Sequence, residues 1–212
     1  MNNLLLVGTP AAGKTTFVSI VKTGKAPSTY VETEVEKIKT WRKLEHIKIL
    51  DTGGLERNDE SKYSNWIDES KKICFFFDGI KFLQEIEDFY NGGEISSKII
   101  FFVLKPLKDK ELDDTRLFFI ATHDDIFSEF KDRYIKMHGK DKFIQVYGNS
   151  NDMKAAIITR LNYANKEYSI LCGTNRYAFS QLLGGQHFFC LNTTNVEQTK
   201  KVYEEIINYK LD

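Results

Sequence analysis

Eight residues near the start of the chain carry the clearest chemistry. Gly8-Thr9-Pro10-Ala11-Ala12-Gly13-Lys14-Thr15 meets the spacing G-x-x-x-x-G-K-[ST] in full. An apolar stretch precedes it and a stretch of helical length follows. In such a loop, successive backbone N–H groups, here of Ala11, Ala12 and Gly13, point inward at phosphate oxygens. The following helix adds its unsatisfied N-terminal N–H groups and the positive end of its dipole. Lys14 reaches the β- and γ-phosphates, the Thr15 hydroxyl ligates Mg²⁺, and Thr16 adds a contact to the α-phosphate. The loop alone does not choose among kinases, ATPases and GTPases.

A second group, Asp51-Thr52-Gly53-Gly54-Leu55-Glu56-Arg57, follows the apolar residues 47–50. An Asp at the carboxyl end of a central strand can hold a Mg²⁺-bound water. Gly54 lets a backbone N–H approach a γ-phosphate with no side chain in the way. A third, Thr122-His123-Asp124-Asp125, follows the apolar residues 117–121. Without a ligand it reads as a helix start with acidic first-turn residues.

The loop at Gly8 to Thr15 and the D-x-x-G pair Asp51 and Gly54 together resemble the Ras-like small GTPase superfamily, with its Rab and Arf branches. That resemblance implies a P-loop NTPase fold, a three-layer α/β/α sandwich on a mostly parallel sheet with one antiparallel edge strand. It implies GTP or GDP with Mg²⁺ as the ligands. Thr122-His123-Asp124-Asp125 then stands where the family reads the base with [NT]-K-x-D, with His123 in place of the usual Lys. The Asp125 carboxylate would accept hydrogen bonds from guanine N1–H and the N2 amine. Adenine lacks that donor pair, so it would leave the carboxylate unpaired. An imidazole can stack on the base where the lysine stem normally lies.

The same resemblance aligns Asn192-Thr193-Thr194 with the family's S-A-K, placing a backbone N–H near Thr193 against guanine O6. Asn149-Ser150-Asn151 competes for that role, and the later motif is preferred because the last helix follows it. A switch threonine that ligates Mg²⁺ and senses the γ-phosphate falls at Thr29 or Thr33, with Thr29 favoured. By resemblance, Lys14, Thr29 and Gly54 carry the catalytic roles, and Thr15, Thr29 and Asp51 the metal. Leu55 departs from the family at the position of the water-orienting Gln. Loss of that group costs on the order of 100-fold in rate, so turnover should be slow; Glu56, Arg57 or a partner's side chain could supply it instead. Pro10 and Ala11 replace glycines of many relatives, and Pro10 would crowd an arginine finger from a partner.

These groups need a scaffold. Residues 4–7, 47–50, 73–77, 117–121 and 187–191 are short, nearly continuous apolar runs, as in a parallel sheet covered on both faces. Residues 15–23, 59–71, 94–110 and 197–209 have helical length and amphipathic pattern. Val202, Ile206 and Tyr209 share a face of the last. Alternation of strand and helix predicts an α/β domain. Residues 31–41 read as an exposed strand that pairs with 47–50 across Lys43-Leu44-Glu45. Within 126–186, residues 143–147 read as a strand and 152–168 as a helix. The expected organisation is one domain over 1–212, with a core at 1–125 and 187–212 and an elaboration at 126–186.

Composition narrows the classes. Thirty Lys and Arg balance thirty Asp and Glu, which removes the main electrostatic argument for nucleic-acid binding. Cys74, Cys172 and Cys190 are too few and scattered for a disulfide framework or a zinc site. No apolar run approaches a membrane span, and no signal-peptide or lipidation pattern is present. A cytoplasmic protein without a membrane anchor is expected, its nucleotide state read by a protein effector or regulator around Tyr30, Val31 and Trp66. Two alternatives stay open: a pseudo-GTPase scaffold that binds GTP without turnover, and an ATP-using P-loop kinase or ATPase. Against the kinase, the possible lid region has only Arg133, Arg160 and Arg176. His46, His138 and His187 are scattered and read as surface or packing residues.

Overall fold

The structure is a computed structural model that describes residues 2–28, 39–44, 47–51, 70–90, 117–160 and 187–210. Its strands are β1 (Asn2–Gly8), β2 (Lys39–Leu44), β3 (Ile47–Asp51), β4 (Lys72–Asp78), β5 (Leu117–Thr122) and β6 (Phe188–Leu191). They form one sheet in the order β2-β3-β1-β4-β5-β6. Strands β3, β1, β4, β5 and β6 run parallel, and β2 pairs antiparallel with β3. The helices are α1 (Lys14–Thr23), α2 (Gly79–Tyr90), α3 (Phe127–His138), α4 (Lys140–Tyr147) and α5 (Val196–Asn208). A further helical stretch covers 153–160.

Why the apolar runs are continuous is plain from β4. Ile73, Phe75 and Phe77 join one buried cluster, while Cys74 and Phe76 join another. Successive strand residues point to opposite faces, so a sheet covered on both sides needs apolar residues at every position. On one side lie α2, α3, α4 and 153–160, which contribute Leu83, Phe127, Tyr134, Phe143, Tyr147 and Ile157. On the other lie α1 and α5, which contribute Phe17, Val18, Val202, Tyr203 and Ile206. The architecture is an α/β sandwich. Each fully buried Phe of the strands contributes roughly 1.5–3 kcal/mol relative to exposure.

A cation ties the last helix to the sheet. The buried Lys72 ammonium, at the start of β4, donates to the carbonyls of Ile206, Ile207 and Tyr209 at 2.6, 2.8 and 2.7 Å. Ile206 and Ile207 lie in the last turn of α5, whose final carbonyls lack intrahelical donors, and Tyr209 is the residue just past it. A positive charge there also complements the negative end of the helix dipole.

Three elements differ from the sequence expectation. Residues 143–147 are part of helix α4, not a strand. Phe143, Val146 and Tyr147 are buried while Ile144 and Gln145 are exposed, which is helical spacing; a short apolar run does not distinguish the two by itself. The sequence reading places no helix at Gly79–Tyr90, where α2 follows Asp78 with no connecting loop. The edge strand runs over Lys39–Leu44, past the expected end at Trp41, with Leu44 opposite Ile47 in register. Helices expected at 59–69 and 94–110, the 31–38 part of the edge strand and 161–168 lie outside the described residues. Ser70 and Lys71 are not helical, and the Lys71 N–H donates to the Asn3 carbonyl at 3.0 Å. Among the described residues no helix is long and apolar enough to cross a membrane.

Candidate phosphate and base site at the carboxyl edge of the sheet

Strand β1 ends at Gly8 with φ +139°, hard against β4. A Cβ at Gly8 would overlap the Phe76 backbone carbonyl, so the position excludes every side chain. The Thr9 N–H donates to that same carbonyl at 3.1 Å, and the Ala12 N–H closes a turn on the Thr9 carbonyl at 3.3 Å. Ala11 (φ +59°) and Gly13 (φ +78°) are both left-handed. Such alternation turns consecutive N–H groups to one side and makes an anion-binding concavity. Gly13 is the N-cap of α1, and no side chain caps that helix end. Lys14 is buried, and its ammonium donates to the Gly8 and Thr9 carbonyls at 3.2 and 2.9 Å. The loop thus holds a cation in its own curve. Thr15 and Thr16 follow in the first turn of α1, both half-buried.

The loop after β6 packs onto this one. A Cβ built on Gly13 would lie 2.6 Å from Thr193 Cγ2. Asn192 shapes that second loop: its Oδ1 accepts from the Thr194 N–H at 2.9 Å and the Thr194 hydroxyl at 2.7 Å. The Asn192 N–H in turn donates to Gln198 Oε1 at 3.1 Å, and Asn195 caps α5 through the Gln198 N–H at 3.0 Å. Thr193 is thereby fixed against the first loop. Asn149-Ser150-Asn151 follows helix α4 instead of a strand, and Lys131 holds the Ser150 carbonyl at 2.9 Å.

Thr122 ends β5 and is fully buried, its hydroxyl donating to the Phe77 carbonyl at 3.1 Å. His123 is left-handed (φ +68°), and its Nδ1 lies 3.3 Å from Asp78 Oδ2. Asp78 ends β4, and its Oδ1 accepts from the Ile80 and Lys81 N–H groups at 3.0 Å each. Burial alone would raise the Asp78 pKa. The His123 hydrogen bond, the Lys81 N–H and the two positive charges outweigh it and hold the carboxyl below its ordinary value. The hydrogen bond to Asp78 raises His123 above its ordinary value, against the effect of burial. Burial, then Asp152 and Asp125, raise Asp124. Asp125 is exposed. No side chain caps the helix starts after β5, at His123 or at Ile126, and Asp124 and Asp125 stand in the first turn of the 3₁₀ helix Asp124–Ile126, as the ligand-free reading expects.

The register sets these groups along one edge. Gly8 pairs with Phe76, Asp78 with Thr122, and Thr122 with Leu191. Asp51 ends β3 opposite Leu6, one strand to the other side of the loop. Strand spacing puts β5 about 10 Å from β1. Between β1 and β4 the chain direction divides, since α1 covers one face and α2 the other. Crevices at the carboxyl ends of strands at such a switch point are where open α/β sheets bind ligands.

The structure therefore assembles Ala11, Ala12, Gly13, Lys14, Thr15, Thr16, Asp51, Thr122, His123, Asp125 and Thr193 at the same edge of the sheet. Thr29, Thr33, Gly54, Leu55, Glu56, Arg57, Tyr30, Val31 and Trp66 lie outside the described residues. His138 packs on Tyr134 at 4.6 Å and His187 on Phe118 at 4.8 Å between ring centroids, away from this edge. Sequence reasoning missed Asp78. The signal was present, since Asp78 closes an apolar run just as Asp51 does. Comparison with protein-family profiles and with curated proteins gives no match.

Proposed function

We propose that the chain is a P-loop NTPase of the small-GTPase kind: a Mg²⁺-dependent, GTP-binding switch with slow hydrolysis, whose state a protein partner reads. The observation that carries the proposal is one of placement. The phosphate-type loop and the T-H-x-D group end two parallel strands, β1 and β5, on the same sheet edge with only β4 between them. A phosphate chain on the first and a base on the second suit one nucleotide lying across β4.

The residues fit such a ligand. The N–H groups of Ala11, Ala12 and Gly13 and the uncapped start of α1 offer donors and a positive dipole end to phosphate. Lys14 would exchange its loop carbonyls for phosphate oxygens. Thr15, with Asp51 and Thr29, would hold Mg²⁺, whose chemistry when bound is to neutralise charge between the β- and γ-phosphates. Asp125, exposed at the carboxyl end of β5, would accept from guanine. Thr193, pressed on Gly13, links the base side to the phosphate loop.

Hydrolysis then turns on Leu55. With GTP loaded, single-turnover measurement is expected to give slow release of phosphate from the wild-type chain and at least a roughly ten-fold faster rate in Leu55→Gln. Bound GTP left intact by both forms would favour the scaffold without turnover. ATP bound in preference to GTP would remove the switch.

A further inference from the structure

The base-reading group of this chain carries an ion pair that its spacing did not suggest. His123 Nδ1 lies 3.3 Å from Asp78 Oδ2 and 3.3 Å from Thr122 Oγ1. The Thr122 hydroxyl gives its proton to the Phe77 carbonyl, which can only accept. Toward the ring, Thr122 is therefore an acceptor, and so is the Asp78 carboxylate. Nδ1 must carry the hydrogen in both protonation states. What changes on titration is Nε2, an acceptor in the neutral ring and a donor in the charged one. His123 also holds a left-handed backbone, a conformation that costs a non-glycine residue roughly 1 kcal/mol or more and recurs at ligand sites. Among the described residues only Ala11 and His123 do this outside glycine, and both stand in the candidate nucleotide groups.

We propose that Asp78 is a positioning residue for the nucleotide base: it fixes His123 through Nδ1 and holds it as a cation, so that affinity for guanine nucleotide falls as pH rises through the titration of His123. The inference rests on the nucleotide-binding function proposed above. In the family pattern a lysine supplies a permanent charge at this position. Here an imidazolium supplies it conditionally, with Asp78 as the group that favours the charged form. The charged groups around the ring are Asp78 from β4, Lys81 from α2 and Asp125 from the 3₁₀ turn Asp124–Ile126. The two carboxylates favour the cation and Lys81 opposes it. Because the folded value is raised, the stabilising pair is complete below about pH 6.5 and is lost as pH rises through the higher folded value. At the acid end it is lost only as pH falls through the depressed Asp78 value, below the ordinary carboxylate range.

Asp78→Asn tests this with little disturbance. Its Oδ1 still accepts from the Ile80 and Lys81 N–H groups, but its amide cannot accept from Nδ1–H. Affinity for a fluorescent GDP analogue with Mg²⁺ would be measured from about pH 6 to about pH 8.5, alongside the NMR titration of the His123 ring. The wild type should weaken about three- to ten-fold over that range. Asp78→Asn should titrate His123 at lower pH than the wild type, and its affinity profile should move to lower pH with it. Asp78→Asn with His123→Lys should regain the low-pH affinity and lose the pH dependence. An unchanged His123 titration and pH profile in Asp78→Asn would overturn the proposal, as would a loss equal at every pH. If no form binds GDP at any pH, the proposed function itself fails and takes this inference with it.

Discussion

At the scale of single residues, Lys14 separates binding from folding. Its ammonium is buried among the Gly8 and Thr9 carbonyls, so the bare loop already satisfies it. A methionine keeps the stem and removes the charge. Lys14→Met is expected to weaken guanine-nucleotide affinity by about 100-fold or more, roughly 2.7 kcal/mol. The desolvation cost of the buried cation offsets most of its hydrogen bonds in the folded chain, so the thermal midpoint should move by only a few degrees. Parallel calorimetric titration and thermal unfolding check both. Much of this site was legible in the sequence, because a glycine-bounded loop constrains spacing tightly. Gly8 to Thr15 could be read from residue types alone. Asp78 was legible only as a strand-ending carboxylate; its partner His123 depends on β4 lying beside β5, a pairing made across the chain.

Among the elements, α5 depends on a residue far from it in sequence. Lys72 donates to two of its last carbonyls, Ile206 and Ile207, and to that of Tyr209 just past its end. Lys72→Met should lose roughly 1–3 kcal/mol, a fall of several degrees in midpoint at this size. Amide exchange should rise first in the last turn of α5, and an unchanged exchange pattern would remove the clamp. Elements were legible where periodicity and punctuation agreed. Helix α1 lies between a glycine loop and Gly24, and α5 follows Asn195 with Thr199, Val202, Tyr203 and Ile206 on one buried face. Tyr209, expected on that face, instead sits one residue past the helix, edge-on to Phe118 at 5.7 Å. Phe143, Ile144, Val146 and Tyr147 are β-favouring types, so the sequence alone reads as a strand where α4 stands. What decided otherwise was the packing of Phe143 and Tyr147 against Tyr134, with ring centroids at 5.8 and 5.2 Å. Tertiary contact overrode propensity there.

Over the whole molecule, the sheet does the arranging. Five parallel strands bring their carboxyl ends to one edge, and the described groups of the proposed nucleotide site stand there. Helices α3 and α4, in the stretch that read as an elaboration, pack onto the sheet through Phe127, Tyr134, Phe143 and Tyr147. They belong to the layer that backs β4 and β5, and so support the edge that holds Asp78 and Thr122. The central claim is that this edge binds a guanine nucleotide across β4. Titration calorimetry with GDP, a non-hydrolysable GTP analogue and the matching ATP analogue, each with Mg²⁺, tests it on wild type and Asp125→Ala. The account predicts guanine-selective binding in the wild type that is lost in Asp125→Ala, by roughly 100-fold or more if the carboxylate makes both base hydrogen bonds. Binding of the adenine analogue with the same affinity in both forms would contradict it.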